Sequence, residues 1–160
     1  MVAYIGGFAS MNGNVGMSGT VTIENCKVAM DVKTDRTTDY GTCGGIVGFI
    51  NKTYACTTLN VNISNCEFTG KLTGKICGGI VANYSPSNTA GAVSLTITNC
   101  TANATHQSTA ASGVFGTLVG RADFKANLSV SLKIDNGTAI TTKAGAAELV
   151  TAGKLGVANQ

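Results

Sequence analysis

Charge is scarce in this chain. Only 12% of its 160 residues are Asp, Glu, Lys or Arg, about half of what a soluble domain usually carries. The lysines and arginines are scattered and the net charge is +3. That leaves no basic stripe or basic helix of the kind that holds nucleic acid. Proline and histidine occur once each. The single histidine, His106, sits in "NATHQST" with no acidic neighbour, which supports no nucleophilic triad. No apolar run approaches the ~18 residues of a membrane span. The opening "MVAYIGGFAS" has neither the basic nor the apolar region of a signal peptide. Phosphate-loop, Cys-x-x-Cys and histidine-containing metal spacings are all missing, so no cofactor is expected.

Glycine, by contrast, is plentiful at 21 residues, and it recurs in a pattern. "IGGFAS" starts at Ile5, "CGGIVG" at Cys43, "CGGIVA" at Cys77 and "FGTLVG" at Phe115, spaced by 38, 34 and 38 residues. A second motif keeps step. "VTIENC", "VNISNC", "LTITNC" and "LKIDNG" end at Cys26, Cys66, Cys100 and Gly137, spaced by 40, 34 and 37. Two motifs recurring in one order four times define an internal repeat. The chain begins inside that repeat, as a segment cut from a longer protein would.

Within each repeat the pattern alternates with period 2. Val21 and Ile23 fall on one side, Thr22 and Glu24 on the other. The same split recurs at Val61 and Ile63, at Leu95 and Ile97, and at Leu132 and Ile134. This is strand patterning with one buried face. The alternation resumes after the asparagine, placing Cys26, Val28, Met30 and Val32 inward, then Cys66, Phe68 and Leu72. No segment before residue 143 shows a helical period. A strand-only unit of 34–40 residues is one coil of a solenoid. The expected fold is therefore an all-β, right-handed parallel β-helix of about four coils over residues 1–142. Residues 143–160, with the Ala-rich "AGAAELV", are expected to form a C-terminal cap or to begin a further element. A β-sandwich would need Asn-Gly hairpin signals, and only "MNGN" and "DNGT" supply them.

The repeated positions read first as structure. Asn25, Asn65, Asn99 and Asn136 share one phase. Asparagine tolerates left-handed backbone, and its amide both donates and accepts, so stacked at a corner they form an asparagine ladder. Cys26, Cys66 and Cys100 open the strand after it. Cys43 and Cys77 open another, where Ile5 and Phe115 replace them. Exchange with isoleucine, phenylalanine and glycine marks packing rather than metal ligation. Adjacent parallel rungs lie ~4.8 Å apart and a disulfide wants Cβ atoms at ~3.8 Å, which favours buried free thiols. Cys56 has no counterpart. The paired glycines suit a corner or a close contact between coils. Phe8, Ile46, Ile80 and Leu118 are apolar, and so are their neighbours Ala9, Val47, Val81 and Val119. If alternation holds, one set faces outward, making Phe8, Ile46, Ile80 and Leu118 a candidate interaction face.

The stretch "GGIVG…NVNISNCEFTGKLTG…CGGIVA" resembles the GLUG-type repeats of large bacterial surface and secreted proteins. Residues 44–48, 61–66 and 68–74 carry the likeness, which spans about residues 1–142. The fourth repeat departs from it at Thr117 and Gly137. The resemblance implies an extracellular, non-catalytic stalk or adhesin segment, with a host or glycan ligand as partner. Another copy of the chain is a second expected partner, because an uncovered solenoid end exposes strand edges that recruit other strands.

Other readings of the residues stay open. Some β-helices process carbohydrate, which needs paired carboxylates across a groove. Here Glu24 and Asp135 share a phase but lie three coils apart, and Asp31, Asp35 and Asp39 cluster in the first long loop, where a weak cation site competes with simple solvation. An ice-binding face needs a flat threonine row, whereas the outward row reads Thr22, Asn62, Thr96, Lys133.

Overall fold

A computed structural model describes residues 3–7, 9–13, 18–52, 58–86, 91–125 and 129–160. The first turn of the chain contains β1 (Ala3–Gly6), β2 (Ala9–Gly13), β3 (Gly19–Glu24), β4 (Lys27–Ala29) and β5 (Val32–Lys33). The second contains β6 (Gly41–Gly44), β7 (Val47–Lys52), β8 (Thr58–Ser64) and β9 (Glu67–Thr73). The third contains β10 (Ile76–Gly78), β11 (Val81–Tyr84), β12 (Ala92–Thr98) and β13 (Thr101–Gln107). The fourth contains β14 (Val114–Gly116), β15 (Val119–Asp123) and β16 (Ser129–Ile134). A short helix, α1 (Ala147–Thr151), and a last strand, β17 (Leu155–Asn159), follow.

Each strand pairs in parallel with its counterpart one turn away, giving four stacked sheets. Sheet one is β1-β6-β10-β14, sheet two β2-β7-β11-β15-β17, and sheet three β3-β8-β12-β16. Sheet four is β4-β9-β13, with β5 also on β9. The chain is thus an all-β parallel solenoid of about four turns. Ile5, Cys43, Cys77 and Phe115 are register partners. The core is built from rows of like residues: Val61 with Leu95 and Leu132, Ile63 with Ile97 and Ile134, Val47 with Val81, Val119 and Leu155. Tyr84 spans it, its hydroxyl held 2.9 Å from the Val93 carbonyl and 3.1 Å from that of Ser131. Its register partners Ala122 and, one turn further, Ala158 leave room for the ring.

The second glycine of each Gly-Gly pair is where sheet four presses on the corner between sheets one and two. A Cβ on Gly45 would overlap the Gly79 carbonyl and the Phe68 ring, and one on Gly79 would overlap the Thr117 carbonyl and Ala102. Phe68 and Ala102 are register partners. Among the described residues the fourth turn has no sheet-four strand, so no side chain of that sheet presses there, and Thr117 stands exposed in the glycine's place. The departure from the repeat at Thr117 therefore has a steric cause.

The expected interaction face is corrected. Ile46, Ile80 and Leu118 are buried, and so are Val47, Val81 and Val119; Phe8 lies outside the described residues. The N–H groups of Ile46 and Val47 both donate to the Ile80 carbonyl, at 3.1 and 2.8 Å. Those of Ile80 and Val81 both donate to Leu118, and those of Leu118 and Val119 to Lys154. Two successive donors on one acceptor make a bulge-like kink, which breaks the period of 2 and turns both side chains inward. Met30 is corrected the other way. Between β4 and β5 its carbonyl folds over Gly70, and its side chain is largely exposed.

Asn25, Asn65 and Asn99 have φ of 56°, 51° and 50°, the left-handed region that asparagine tolerates. Asn99 Nδ2 donates to Asn65 Oδ1 at 2.8 Å. In the fourth turn the left-handed residue is Asp135 (φ 52°), not Asn136. The chain turns one residue early because Gly137 N–H closes a β-turn on the Ile134 carbonyl. The Asn25 and Asn65 N–H groups donate to backbone carbonyls of the next turn, and Asn99 N–H instead donates to Asp135 Oδ1 at 2.9 Å. The early turn sends the chain back, and Ile140 pairs antiparallel with Leu132, occupying the outer edge of sheet three. Covering that edge blocks further strand pairing. The tail is more than a cap: "KLGVAN" re-enters sheet two as β17, with Leu155 opposite Val119 and Val157 opposite Arg121.

The glycine corner makes a sharp prediction. Gly45→Ala should cost about 1–3 kcal/mol or more through overpacking, read as a fall in the urea midpoint. Thr117→Ala, at the unpressed corner, should leave that midpoint within about 0.5 kcal/mol. Equal losses would disprove the steric account.

Candidate functional site

The repeated cysteines are structural. Described thiols at Cys26, Cys43, Cys66, Cys77 and Cys100 are all free; Cys56 lies outside the described residues. Cys26, Cys66 and Cys100 each donate to the carbonyl two residues back, at 3.4, 3.2 and 3.3 Å. The left-handed corner between donor and acceptor brings the two together. Cys43 donates to the Thr73 carbonyl at 3.1 Å and stacks in register on Cys77. Burial pushes the Cys66 thiol up to about 11 and raises Cys100 as well. The hydrogen bond with Cys43, together with burial, raises Cys77. Such thiols are weak nucleophiles.

His106 stacks on Phe115 with ring centroids 5.1 Å apart, and its Nε2 lies 3.4 Å from the Gly74 carbonyl. The three acids of the first long loop do not converge. Asp31 accepts from the Lys71 N–H, Asp35 pairs with Lys33, and Asp39 pairs with Lys75 and Arg121. Among the described residues no three His, Cys, Asp or Glu side chains are grouped to hold a metal. The polar rows on sheet three bond to one another, Ser94 to Asn60 at 2.7 Å and Asn60 to Thr20 at 3.5 Å.

One polar cluster does converge, on the outer face of sheet two. Ile50, Tyr84, Ala122 and Ala158 point into the core, so the residues just before them, Phe49, Asn83, Arg121 and Val157, fall on that face, with Ser85, Asp123 and Asn159 beyond them. Arg121 and Asp123 are two apart on one strand, so their side chains lie side by side. Arg121 Nε and Nη2 donate to the two oxygens of Asp123 at 2.9 and 3.0 Å. Asn159 Nδ2 donates to the same carboxylate at 3.1 Å, and Ser85 Oγ also donates to it. These four donors satisfy a buried carboxylate, as a buried charge requires.

The first long loop closes over this cluster. Arg121 Nη1 reaches Asp39 Oδ2 at 3.2 Å, and Lys75 Nζ lies 2.7 Å from Asp39 Oδ1. Thr109 Oγ1 donates to the Arg36 carbonyl at 2.6 Å. The Lys75 hydrogen bond, with the charges of Lys75 and Arg121, holds the Asp39 carboxyl below its usual value, outweighing slight burial. Burial pulls the Arg121 guanidinium down, and the Asp123 and Asp39 contacts more than offset it, leaving it raised.

Between loop and sheet is a cleft of about 220 Å³ lined by Asp39, Tyr40, Phe49, Asn83, Ser85 and Arg121. Asn83 is only 5% exposed, yet its buried Oδ1 has no hydrogen-bond partner among the described residues. Leaving a buried acceptor unsatisfied costs about 1–3 kcal/mol. Larger spaces of about 390 and 260 Å³ lie beside the terminal hairpin. They surround the chain reversal at Ile140 and lack an unpartnered buried polar group among the described residues. Of the cleft's residues, only Asp39 stands out in the sequence, as one of the acids of the first long loop. The signal of the others is negative: Phe49, Asn83 and Arg121 occupy one register row and share no chemistry, whereas the Val47, Val81 and Val119 row on the same strands repeats.

The chain matches no protein-family model, and no curated protein or solved structure matches it. Among the described residues no helix is long and apolar enough to cross a membrane.

Two predictions follow from these groups. Asp39 is depressed when folded, so its contribution is full above the ordinary value of 3.8 and is lost as pH falls through the lower folded value. Exchange protection in residues 36–41, taken relative to the intrinsic rate at each pH, should stay level at pH 5–7 and fall only below 3.8. Asp39→Asn should abolish the step, and a step near neutrality would refute the assignment. Separately, iodoacetamide at about pH 8 should leave Cys43, Cys66 and Cys77 unmodified in the native protein and label them in denaturant. Peptide mass spectrometry reads the result, and rapid native labelling would contradict the burial argument.

Proposed function

We propose that this chain is a non-catalytic structural and adhesive repeat module of an extracellular, surface-displayed bacterial protein. The observation that carries the reading is where the repeated residues go. The glycine corners make room for contacts between one turn and the next, the asparagine corners bond across turns, and the thiols of Cys66 and Cys100 reach the Ile23 and Ile63 carbonyls of the turn before. A solenoid of this kind gains stability turn by turn from nearest-neighbour interfaces, which suits a spacer whose length is set by repeat number. The resemblance of "GGIVG" and "NISNCEFTG" to GLUG-type repeats supports a place at the bacterial surface. Association between copies, the other partner expected from the sequence, has one edge fewer to use, since Ile140 occupies the outer side of β16.

Antibodies raised against the chain should label intact cells that express it. Labelling only after permeabilisation would overturn the surface reading.

A further inference from the structure

The core row of sheet two stays apolar from turn to turn, as Val47, Val81, Val119 and Leu155 do. The row Phe49, Asn83, Arg121 changes from an apolar to a polar to a charged side chain. Its middle member is buried with an acceptor oxygen that nothing among the described residues fills. A strand position facing a packed neighbour would be better served by an apolar side chain. An unfilled acceptor on a residue that lines a cleft is a place for a donor from outside.

The chemistry of that donor can be read from the lining. Two cations, Lys75 and Arg121, stand against two carboxylates, Asp39 and Asp123, so the cleft is neutral overall. Ser85 Oγ spends its hydrogen on Asp123 and keeps its lone pairs. Asp39, Asn83 and Ser85, each carrying an acceptor oxygen, all line the cleft. A ligand must therefore bring several donors and no net charge. Tyr40, about half exposed, and Phe49 add aromatic surface beside this polar floor. Apolar and aromatic walls with a few placed polar groups are the usual make-up of a small-molecule site. At about 220 Å³ the space admits one small ring.

We propose that this cleft binds a neutral, polyhydroxylated ring, the chemical class of an uncharged sugar. A ring hydroxyl donates to Asn83 Oδ1, neighbouring hydroxyls donate to Asp39 and Ser85, and Tyr40 covers the apolar face. The inference deepens the adhesive reading above and rests on it for the ligand's place outside the cell.

The test is saturation-transfer NMR and calorimetry on the full chain. The probes are glucose, galactose, mannose and N-acetylglucosamine, with galacturonate and methylammonium as charged controls. At least one neutral sugar should bind with a Kd of about 1 mM or tighter, and the charged controls should not. Tyr40→Ala, at an exposed position, should keep the melting temperature and weaken binding about fivefold or more. Asn83→Val should lose binding while the melting temperature holds or rises, because it removes an unpartnered buried acceptor. Saturation by none of the four sugars means that the cleft holds an ordered water only, and it overturns the proposal. Preference for methylammonium, or sugar binding that survives both substitutions, overturns it too. A chain that binds sugar but fails surface labelling sinks the surface reading alone, and a surface chain that binds none sinks this one alone.

Discussion

Parallel, in-register stacking ties every residue to its counterpart one turn above and one below. Strands lie ~4.8 Å apart, so a side chain's closest non-local neighbour is the same position in another repeat. Each position must therefore tolerate itself. Apolar side chains do so by packing in rows, as Ile63, Ile97 and Ile134 do. Asparagine does so because its amide donates upward and accepts downward, as from Asn99 to Asn65. A charged residue repels its own copy, so a solenoid with few charges is easier to stack. The low charge of the chain and its fold are two expressions of one constraint. Where charges do stack, they alternate in sign: Lys27 pairs with its register partner Glu67 at 3.1 Å.

The same constraint explains which features could be read from the sequence. Glycine pairs and the "ISNC" element were visible because each is needed once per turn and keeps its phase. The rows they define in the structure are those the repeat alignment defines. Three other features were hidden. Ile46 and Val47 look like opposite faces of a strand, and only a bulge, with two N–H groups on the Ile80 carbonyl, brings both inside. Asp135 and Asn136 are equally good left-handed residues, and the choice between them was made by the Gly137 turn rather than by the ladder. The last strand, Leu155–Asn159, has so short an echo of "LVGRAD" that its pairing was legible only once β15 offered it an edge.

The cleft was hidden for the opposite reason. Repeat analysis finds what recurs, and a binding site on a repeat protein is made of what does not. Asn83 and Arg121 stand at matching positions on adjacent strands, but their chemistry is unlike, and Asp39 comes from a loop more than forty residues before Asn83. Only folding brings the loop over the sheet. In a solenoid the position-by-position difference between aligned rows is thus as informative as their likeness. A row that changes from buried phenylalanine to buried asparagine to half-buried arginine is under some demand other than stacking.

That demand also bears on stability. The cleft draws Phe49 from the second turn, Asn83 and Ser85 from the third and Arg121 from the fourth, while Asp39 comes from the loop leading into the second. Solenoid stability is close to a sum of nearest-neighbour terms, so turns can fray one at a time. A ligand touching three successive turns binds only when both interfaces between them are formed. Its binding free energy therefore adds to the cooperativity of those turns rather than to any one of them. The Asp39–Arg121–Asp123 network already works in this sense, tying the loop to the fourth turn and, through Asn159, the fourth turn to the last strand. The groups that shape the cleft are the same groups that hold neighbouring turns together, so the one Asn83 oxygen without a partner among the described residues is a local cost carried by a network otherwise engaged between turns.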